Sequence, residues 1–264
     1  MWEGDLWVAQ RAARAGAEEV LSGAFSEFLL EMKGDVDPVT EIDERAETAI
    51  RATISTHFPD DDVLGEEGGG ADWRSGRVWI IDPLDGTVNF VHGIPQFSVS
   101  VALWDDGQPL IGVVIDVMRQ EEFVAGLGKG ATLNERSISV SQTSDIRQSL
   151  LATGFPYDRQ KHARAYLEVV GAVLERAQGI RRLGSAALDL AWVACGRYDG
   201  YWEYDIKPWD AAAGVLLVTE AGGNVTDHEG GNDNLGAKAF VATNGKIHEE
   251  LRTIVSEGFP AHLR

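Results

Sequence analysis

The sequence has a single cysteine and lacks long apolar runs. Cys195 is the only cysteine among 264 residues, so an internal disulfide is excluded, and this composition fits a reducing cytoplasm. The longest apolar runs, such as Ala211 to Val218, are too short to cross a membrane. The first residues, Met1 to Asp5, lack the basic-then-apolar layout of a signal peptide. We therefore expect a cytoplasmic protein that does not interact with membranes.

Positive charge is also scarce. The chain has 23 lysines and arginines against 42 aspartates and glutamates, which gives a formal net charge of −19. This balance argues against nucleic-acid binding, which needs cations that face the phosphates. The same charge would repel an anionic substrate unless metal ions reverse the field at the binding site.

Apolar residues make up 44% of the chain, which is enough for a substantial core. No internal repeat or low-complexity linker divides the sequence. We therefore expect one domain over residues 1–264, built from two packed halves of about 1–145 and 146–264.

The first half is predicted to contain two helices followed by an antiparallel meander. Apolar residues at helical spacing predict a helix from Asp5 to Met32 and a second from Thr40. The polar stretch Lys33 to Val39 separates them, and Pro38 disfavours continuation of the first helix. Asp105 to Gln108 predicts a hairpin turn between strands. The predicted strands are Arg77 to Asp82, Phe97 to Trp104, Leu110 to Asp116 and Glu121 to Ala125.

The second half alternates between strands and helices, which is typical of layered folds of helix and sheet. The predicted strands are Ser149 to Thr153, Gly200 to Tyr204 and Phe240 to Thr243. The predicted helices are Lys161 to Gln178, Ser185 to Cys195, Asp210 to Ala221 and Lys246 to Ser256. This pattern leaves the order of the strands open.

The stretch from Trp79 to Phe90 indicates chemistry. An apolar strand runs directly into Asp82 and Asp85, where buried charge is costly unless a cation lies beside it. Magnesium prefers oxygen ligands and is usually held by one or two carboxylates together with substrate phosphate. Gly86 and Thr87 follow, and their backbone N–H groups can face an anion. The pattern therefore favours phosphate-ester chemistry.

Other acidic segments fit the same site, and each also has an ordinary structural explanation. Thr40 and Asp43 fit a capping box at a helix start. Glu66 fits a solvated turn, residues 82–86 form a good turn sequence, and Asp210 fits a helix cap. A capping carboxylate can still bind a metal, and each segment joins an apolar element to a turn, where active sites commonly lie. The ligand pattern of an EF-hand is absent, which disfavours a calcium sensor.

Four segments resemble the inositol monophosphatase family. Residues Asp82 to Phe90, DPLDGTVNF, resemble the first family signature, and Trp209 to Gly214, WDAAAG, resemble the second. Asp37 to Asp43 and Gly65 to Glu67 match two segments that usually lie upstream. The resemblance implies an α/β (α+β layered) fold with alternating helix and sheet layers, an αβαβα sandwich. It also implies a magnesium-dependent, lithium-sensitive phosphomonoesterase that is commonly a homodimer.

The resemblance further implies how the site is divided among its residues. Glu66, Asp82 and the carbonyl of Leu84 would hold one Mg²⁺. Asp82, Asp85 and Asp210 would hold a second, and a third, weaker ion would lie near Glu66. The implied catalytic residues are Asp43, Thr87 and Glu66, with Thr87 and Asp43 orienting or deprotonating the attacking water. The implied substrate-binding residues are Gly86, Thr87, Ser185, Ala186, Glu203 and Asp210.

The substrate remains open at this stage. The run from Gly184 to Asp210 looks most similar to inositol-1-phosphatases, in which Glu203 would contact polyol hydroxyls. The alternative for Glu203 is an ion pair with Lys207. Histidinol-phosphate phosphatase, fructose-1,6-bisphosphatase and 3′-nucleotide bisphosphate phosphatase are competing activities. A bisphosphate would need extra cations, for which the candidates are Arg159, Lys161, Arg181 and Arg182. A non-catalytic metal-binding regulatory protein is the hypothesis from a different class.

Overall fold

Helices and sheets alternate in five layers in the computed structural model of the chain. The structure describes residues 2–24, 26, 29–32, 38–156, 159–232 and 235–258. The helices are α1 Trp2–Gly23, α2 Glu41–His57, α3 Thr87–Val91, α4 Arg159–Leu174, α5 Ala186–Ala194, α6 Pro208–Glu220 and α7 His248–Gly258. A short 3-10 helix, Ile146–Gln148, precedes the second sheet.

The strands form three sheets. They are β1 Leu30–Met32, β2 Pro38–Thr40, β3 Asp62–Gly65, β4 Arg77–Asp85, β5 Ser98–Asp105, β6 Gln108–Asp116, β7 Glu121–Gly126, β8 Gly130–Leu133, β9 Arg136–Ile138, β10 Leu150–Thr153, β11 Gly179–Arg181, β12 Gly200–Tyr204, β13 Asn224–Asp227 and β14 Ala239–Thr243. The large sheet runs from β3 to β9 in sequence order, and only its β3–β4 pair is parallel. The small sheet has the order β11-β10-β12-β14-β13, and β1 pairs with β2 separately.

Strand β5 shows how the large sheet fits between two helix layers. Val99, Val101 and Leu103 belong to the core shared with α1 and α2. Ala102 and Trp104, on the opposite face, belong to the core shared with α5 and α6. Helices cover both faces of the sheet. Alternate residues of β5 therefore point into two different cores, and neither face is exposed to solvent.

The small sheet is covered on both faces in the same way. Tyr201 of β12 packs in the core with α5 and α6, whereas its neighbour Trp202 packs in the core with α4 and α7. The layers are therefore α1/α2, large sheet, α5/α6, small sheet and α4/α7, and the predicted αβαβα architecture is confirmed. The division into one domain with two halves stays a prediction.

Helix α6 occupies the centre of this stack. Residues 211–218 are all buried, because the helix has a sheet on each side. The apolar run from Ala211 to Val218 is therefore explained by the burial of α6 on all sides. Among the described residues, no helix is both long and apolar enough to span a membrane.

The prediction of a first helix reaching Met32 was wrong. Helix α1 ends at Gly23, and Leu30–Met32 is a strand whose Leu30 pairs with Thr40. The apolar spacing misled because Leu21 and Leu29 are exposed and do not continue the buried face of α1. Phe25, Phe28 and the loop residues Lys33 to Asp37 lie outside the described residues.

The other predicted helices and strands are confirmed, with ends that shift by a few residues. The hairpin at residues 105–108 is confirmed, with positive φ at Asp106 (46°) and Gly107 (73°), as a tight two-residue turn requires. The strands that the sequence pattern missed are short or lie at sheet edges: β1, β2, β3, β8, β9, β11 and β13.

Candidate active site

An irregularity at the end of β4 brings two carboxylates to one side. In a regular strand, Asp82 and Asp85 would point to opposite faces of the sheet. The pairing of β4 with β5 shifts its register between these two residues, at Pro83 and Leu84. Ligand oxygens of Asp82, Asp85 and Asp210 consequently lie within 4.8 Å of one another. This acidic cluster forms at the point where the sheet pairing is interrupted.

Asp210 reaches the cluster from the first turn of α6. Pro208 starts the helix, and the backbone N–H of Lys207 donates to Asp210 Oδ2 at 3.1 Å. The predicted capping role and the predicted ligand role are therefore compatible, because the cap fixes the carboxylate beside Asp82 and Asp85.

Burial and mutual repulsion dominate the electrostatics of the cluster. Burial raises the pKa of Asp82 well above its usual value, and the charges of Glu66, Asp85 and Asp210 raise it further. Burial likewise raises the pKa of Asp210, with Asp85 and Glu66 adding to the shift. Burial and like charge thus disfavour the ionised form of these carboxylates, and a cation between them would stabilise that form.

Asp85 is held by donors from α5. Its carboxylate accepts hydrogen bonds from the Ser185 hydroxyl, from Ala187 N at 2.9 Å and from Ala186 N at 3.2 Å. Ser98 Oγ donates from β5 at 3.2 Å. These hydrogen bonds lower the pKa of Asp85 against the larger effect of burial, which raises it. Ser185 and Ala186, predicted to bind substrate, therefore lie at the site and contact Asp85.

Thr87 and Asp43 are in contact, as the family resemblance implies. Thr87 Oγ1 lies 3.2 Å from Asp43 Oδ1 and 3.0 Å from the carbonyl oxygen of Leu84. The other oxygen of Asp43 accepts from Thr40 N at 2.8 Å and from Thr40 Oγ1 at 2.5 Å, which completes the capping box of α2. Burial raises the pKa of Asp43, and the hydrogen bonds from Thr40 and Thr87 oppose this shift.

The turn between β4 and α3 requires glycine. Gly86 has φ = 100°, and a Cβ atom there would lie 2.9 Å from the Gln96 carbonyl oxygen. Asn89 then ties α3 across the cleft, because its Nδ2 donates to the carbonyls of Gln96 at 2.7 Å and Leu183 at 2.8 Å. Asn89 thereby links the first signature to the segment that delivers Ser185.

Glu66 and Glu203 both line the cleft that contains the acidic cluster. The charge of Glu66 acts on Asp82 and Asp210, as described above. Glu203 accepts a hydrogen bond from the Tyr201 hydroxyl, and burial raises its pKa to about 7. The alternative pairing of Glu203 with Lys207 is wrong, since Lys207 Nζ contacts Asp205 Oδ2 at 2.8 Å.

The structure adds residues that the sequence pattern did not identify. Asp189 lines the cleft from α5, is 1% exposed, and its Oδ1 has no hydrogen-bond partner among the described residues. Burial raises its pKa well above the usual value, with further increases from the charges of Asp85 and Glu203. A carboxylate within the apolar run of α5 was the available signal. Arg159 and Arg182, two of the candidate cations for a second phosphate named from the sequence, also line this cleft.

All predicted catalytic, metal and substrate residues except Asp43 line the same cleft, and Asp43 contacts it through Thr87. The set that lines the cleft is Glu66, Asp82, Leu84, Asp85, Gly86, Thr87, Ser185, Ala186, Glu203 and Asp210. Their roles remain predictions, but side chains from distant parts of the sequence meet here. The cleft brings together hard oxygen ligands and hydrogen-bonding groups.

Comparisons with known proteins agree with this geometry. A family model described as "Inositol monophosphatase family" matches residues 3–258. The protein named Nus factor SuhB of Pseudomonas aeruginosa is 42% identical over 266 residues, covering 98% of this chain and 98% of that protein. The Inositol-1-monophosphatase of Synechocystis sp. is 44% identical over 252 residues, covering 93% and 86% of the two proteins. The solved structure of inositol monophosphatase from Anabaena (Nostoc) sp. matches with a TM-score of 0.87 and 40% identity, covering 98% of this chain and 97% of that chain.

Proposed function

The chain belongs to the inositol monophosphatase family, and we propose that it is a magnesium-dependent phosphatase that hydrolyses myo-inositol 1-phosphate to inositol and phosphate. The observation that carries this proposal is the convergence of Asp82, Asp85 and Asp210, with ligand oxygens within 4.8 Å, beside the Thr87–Asp43 pair. The family is metal-dependent. Asp82 and Asp85 are buried and Asp210 is half-buried, and the charges of Asp85 and Asp210 raise the pKa of Asp82, so the cluster suits a divalent cation.

Two sets of oxygens would hold the ions. Glu66, Asp82 and the Leu84 carbonyl would form one set, and Asp82, Asp85 and Asp210 the second, with a third, weaker ion near Glu66. Bound Mg²⁺ would polarise the phosphoryl oxygens, lower the pKa of the attacking water and stabilise the leaving oxygen.

The residues of the chain would orient the water and the phosphate. Thr87 has one hydroxyl proton, so donation to Asp43 leaves its oxygen lone pairs free to accept a hydrogen bond from the attacking water. Asp43 would then receive the proton through Thr87. The N–H groups of Gly86 and Thr87, at the turn that enters α3, would contact phosphate oxygens.

The polyol end of the substrate would lie towards Glu203. This carboxylate lines the cleft, and the Tyr201 hydroxyl donates a hydrogen bond to one of its oxygens. Ser185 and Ala186 would shape the part of the cleft beside Asp85, through the N-terminus of α5. A polyol phosphate suits this carboxylate, because the hydroxyl groups of the polyol can donate hydrogen bonds to it.

The competing phosphatase activities make different demands on this cleft. A second phosphate on fructose bisphosphate or a 3′-nucleotide bisphosphate would need cations, and Arg159 and Arg182 line the cleft. Phosphate release from inositol 1-phosphate, histidinol phosphate, fructose 1,6-bisphosphate and a 3′-phosphorylated nucleotide should be compared at equal magnesium. We expect the highest kcat/KM for inositol 1-phosphate; a higher value for a bisphosphate would contradict this choice.

A non-catalytic regulatory role is the alternative from a different class, and several relatives carry the name Nus factor SuhB. The contact between Thr87 and Asp43 beside an intact acidic cluster favours catalysis, because metal binding alone does not require it. Magnesium binding without turnover of any phosphomonoester would favour the regulatory role.

The decisive variant is Asp85→Asn. We expect it to abolish magnesium-dependent phosphate release, because it removes one charge from the centre of the cluster while the hydroxyl and N–H donors around residue 85 still find an acceptor. Phosphate release and circular dichroism should be measured together. Asp145→Asn, which removes a surface partner of Arg147, is the matched control and should retain activity. Near-normal turnover by Asp85→Asn would refute the proposal.

Several further properties are proposed from the family. Lithium should inhibit phosphate release, the protein should sediment as a homodimer, and it should be cytoplasmic. The excess of acidic residues favours a small phosphorylated substrate over a nucleic acid partner, because direct contact with nucleic acid needs a basic surface.

A further inference from the structure

Glu66 lies in a short loop that helix α2 holds from outside the acidic cluster. The loop, residues 65–69, follows β3 and closes through a hydrogen bond from Gly65 N to the Gly69 carbonyl at 3.0 Å. A five-residue turn that brings a carboxylate towards other carboxylates needs additional support, because like charges repel one another.

Glu47 provides the first part of that support. It lies in α2, is 4% exposed, and its two carboxylate oxygens accept the N–H groups of Glu67 and Gly68, each at 2.9 Å. These two N–H groups follow Glu66 directly in the chain. The carboxylate of Glu47 therefore fixes the backbone immediately after the Glu66 side chain.

Arg51, one helical turn later, completes the support. Its Nε donates to Glu47 Oε1 at 2.7 Å, and its Nη2 donates to the Gly69 carbonyl at 3.0 Å. Its Nη1 donates to the Val63 carbonyl at 3.3 Å, on the β3 side of the loop. One guanidinium thus joins the start and the end of the loop and offsets the buried charge of Glu47.

The glycines of the loop reflect this close contact. A Cβ atom on Gly68 would lie 2.6 Å from Glu47 Oε1, and one on Gly65 would lie 2.7 Å from Arg51 Nη2. A larger residue at either position would displace the Glu47 carboxylate or the Arg51 guanidinium from its contact with the loop. The backbone around Glu66 is therefore packed directly against the two side chains.

We propose that Glu47 and Arg51 are positioning residues that hold Glu66 at the acidic cluster against carboxylate repulsion and thereby set the affinity for divalent cations. This inference rests on the proposed metal-dependent function, since it assigns the magnesium affinity to a preorganised Glu66. Outer residues that orient a ligand typically change metal affinity by about 10–100-fold when they are removed. Neither side chain lines the cleft, so any effect on catalysis has to pass through the loop.

The test is magnesium binding to the metal-free protein, measured by isothermal titration calorimetry without substrate. We expect Glu47→Gln to raise the Mg²⁺ Kd by about tenfold or more. The reason is that both oxygens of the Glu47 carboxylate now accept hydrogen bonds from the two N–H groups and Arg51. A glutamine amide is neutral and has only one acceptor oxygen. Arg51→Met should have a similar effect and serves as the second variant if Glu47→Gln does not fold. Glu19→Gln is the matched control and should leave the Kd unchanged. It breaks an exposed ion pair between Glu19 of α1 and Arg45 of α2, the helix that also carries Glu47 and Arg51.

A double-mutant cycle with Glu66→Gln separates positioning from general destabilisation. If Glu47 acts through Glu66, Glu47→Gln should weaken Mg²⁺ binding in the wild-type background and have little further effect in Glu66→Gln. An equal loss in both backgrounds, or an unchanged Kd in Glu47→Gln, would overturn the positioning role while leaving the proposed function intact. An unchanged Kd in Glu66→Gln would overturn the metal assignment of Glu66 and this inference together.

Discussion

At the scale of single residues, Thr87 has one proton and two acceptors within reach. It can donate to the Leu84 carbonyl or to Asp43, but not to both at once. If the Leu84 carbonyl is engaged by a cation, Asp43 becomes the acceptor and the Thr87 oxygen turns its lone pairs towards the cleft. This coupling links metal binding to the orientation of a single hydroxyl.

Thr87→Ala should therefore impair turnover more than binding. We expect kcat to fall by about 10²–10⁴-fold, the usual contribution of a positioned proton acceptor, with KM changed by less than about threefold. Steady-state phosphate release at saturating magnesium gives both constants. Thr87→Ser keeps the hydroxyl and should retain most of the activity. A change confined to KM would contradict the proposed role of Thr87.

The pKa of Glu203 gives a second prediction at the scale of single residues. Burial raises its pKa to about 7, whereas the hydrogen bond from Tyr201 lowers it. In the metal-free protein, the carboxyl ¹³C resonance of Glu203, assigned by its loss in Glu203→Gln, should titrate near pH 7. Tyr201→Phe should move this midpoint upwards, because a hydrogen bond to the ionised form is lost. A midpoint below pH 5 in the wild type would show that Glu203 is solvated instead.

At the scale of elements, the site is assembled where regular structure stops. The register shift of β4, the turn at Gly86 and the first turns of α5 and α6 each supply one part of the cleft. Asn89 connects two of these elements, since its amide bridges α3 to the carbonyls of Gln96 and Leu183. This bridge joins the helix that follows Asp85 to the residues that precede Ser185.

Asn89→Ala should destabilise the protein measurably. Loss of the buried hydrogen bond to Gln96 and the partly buried one to Leu183 would leave two carbonyls without this donor, which costs about 2–3 kcal/mol of unfolding free energy. Urea denaturation, followed by circular dichroism, gives this value. Val88→Ala on the same helix is the control, since Val88 is 48% exposed and its truncation should change stability by less than about 0.5 kcal/mol. Equal stability of the two variants would show that the bridge contributes little.

At the scale of the whole molecule, acidic charge is concentrated at the centre as well as on the surface. Asp82, Asp85 and Asp210 have raised pKa values, so the folded metal-free protein holds their protons more tightly than the unfolded chain. Their contribution to stability is thus present below the usual pKa of about 3.8 and is lost as pH rises through the raised values. Bound cations reverse this penalty by favouring the ionised carboxylates.

Asp82→Asn should therefore stabilise the metal-free protein while removing its activity. At pH 7.5 in chelator, we expect Tm to rise by about 2–6 °C, and the gain should shrink as pH falls, because the wild-type cluster then takes up protons. Differential scanning calorimetry of both proteins separates the effect of the cluster on stability from that of other titrating groups. One such group is the buried His248. Burial lowers its pKa, so its effect on stability changes with pH in the opposite direction. The increase in Tm on adding magnesium should be smaller in the variant. Equal Tm values at pH 7.5 would contradict the repulsion described here.

The sequence predicted more of the site than of the chain ends and sheet edges. Signature residues 82–90 and 209–214 identified the cluster because chemistry restricts their types, whatever the surrounding fold. By contrast, the end of α1 was mispredicted because apolar residues continue past Gly23 into β1. Short edge strands such as β11 and β13 have too few residues for a clear periodicity, so sheet pairing alone defines them.

Asp189, Glu47 and Arg51 show why part of the site was not predictable. Asp189 sits in an apolar helical run, and only packing between two sheets buries its carboxylate beside the cleft. Glu47 and Arg51 look like an ordinary i,i+4 ion pair on an exposed helix face. Their contact with the loop of Glu66 depends on how α2 lies against β3, which no local pattern encodes.

The amino-acid order alone determined the ligand chemistry, the helix starts and the alternation that makes two-sided strands, because these depend on residue type and local geometry. Tertiary structure decided which carboxylates meet, how close they lie and what restrains them. Distances such as the 4.8 Å that spans Asp82, Asp85 and Asp210 arise only when residues far apart in sequence pack together. The mutual repulsion that favours a cation at this site is therefore a property of the fold.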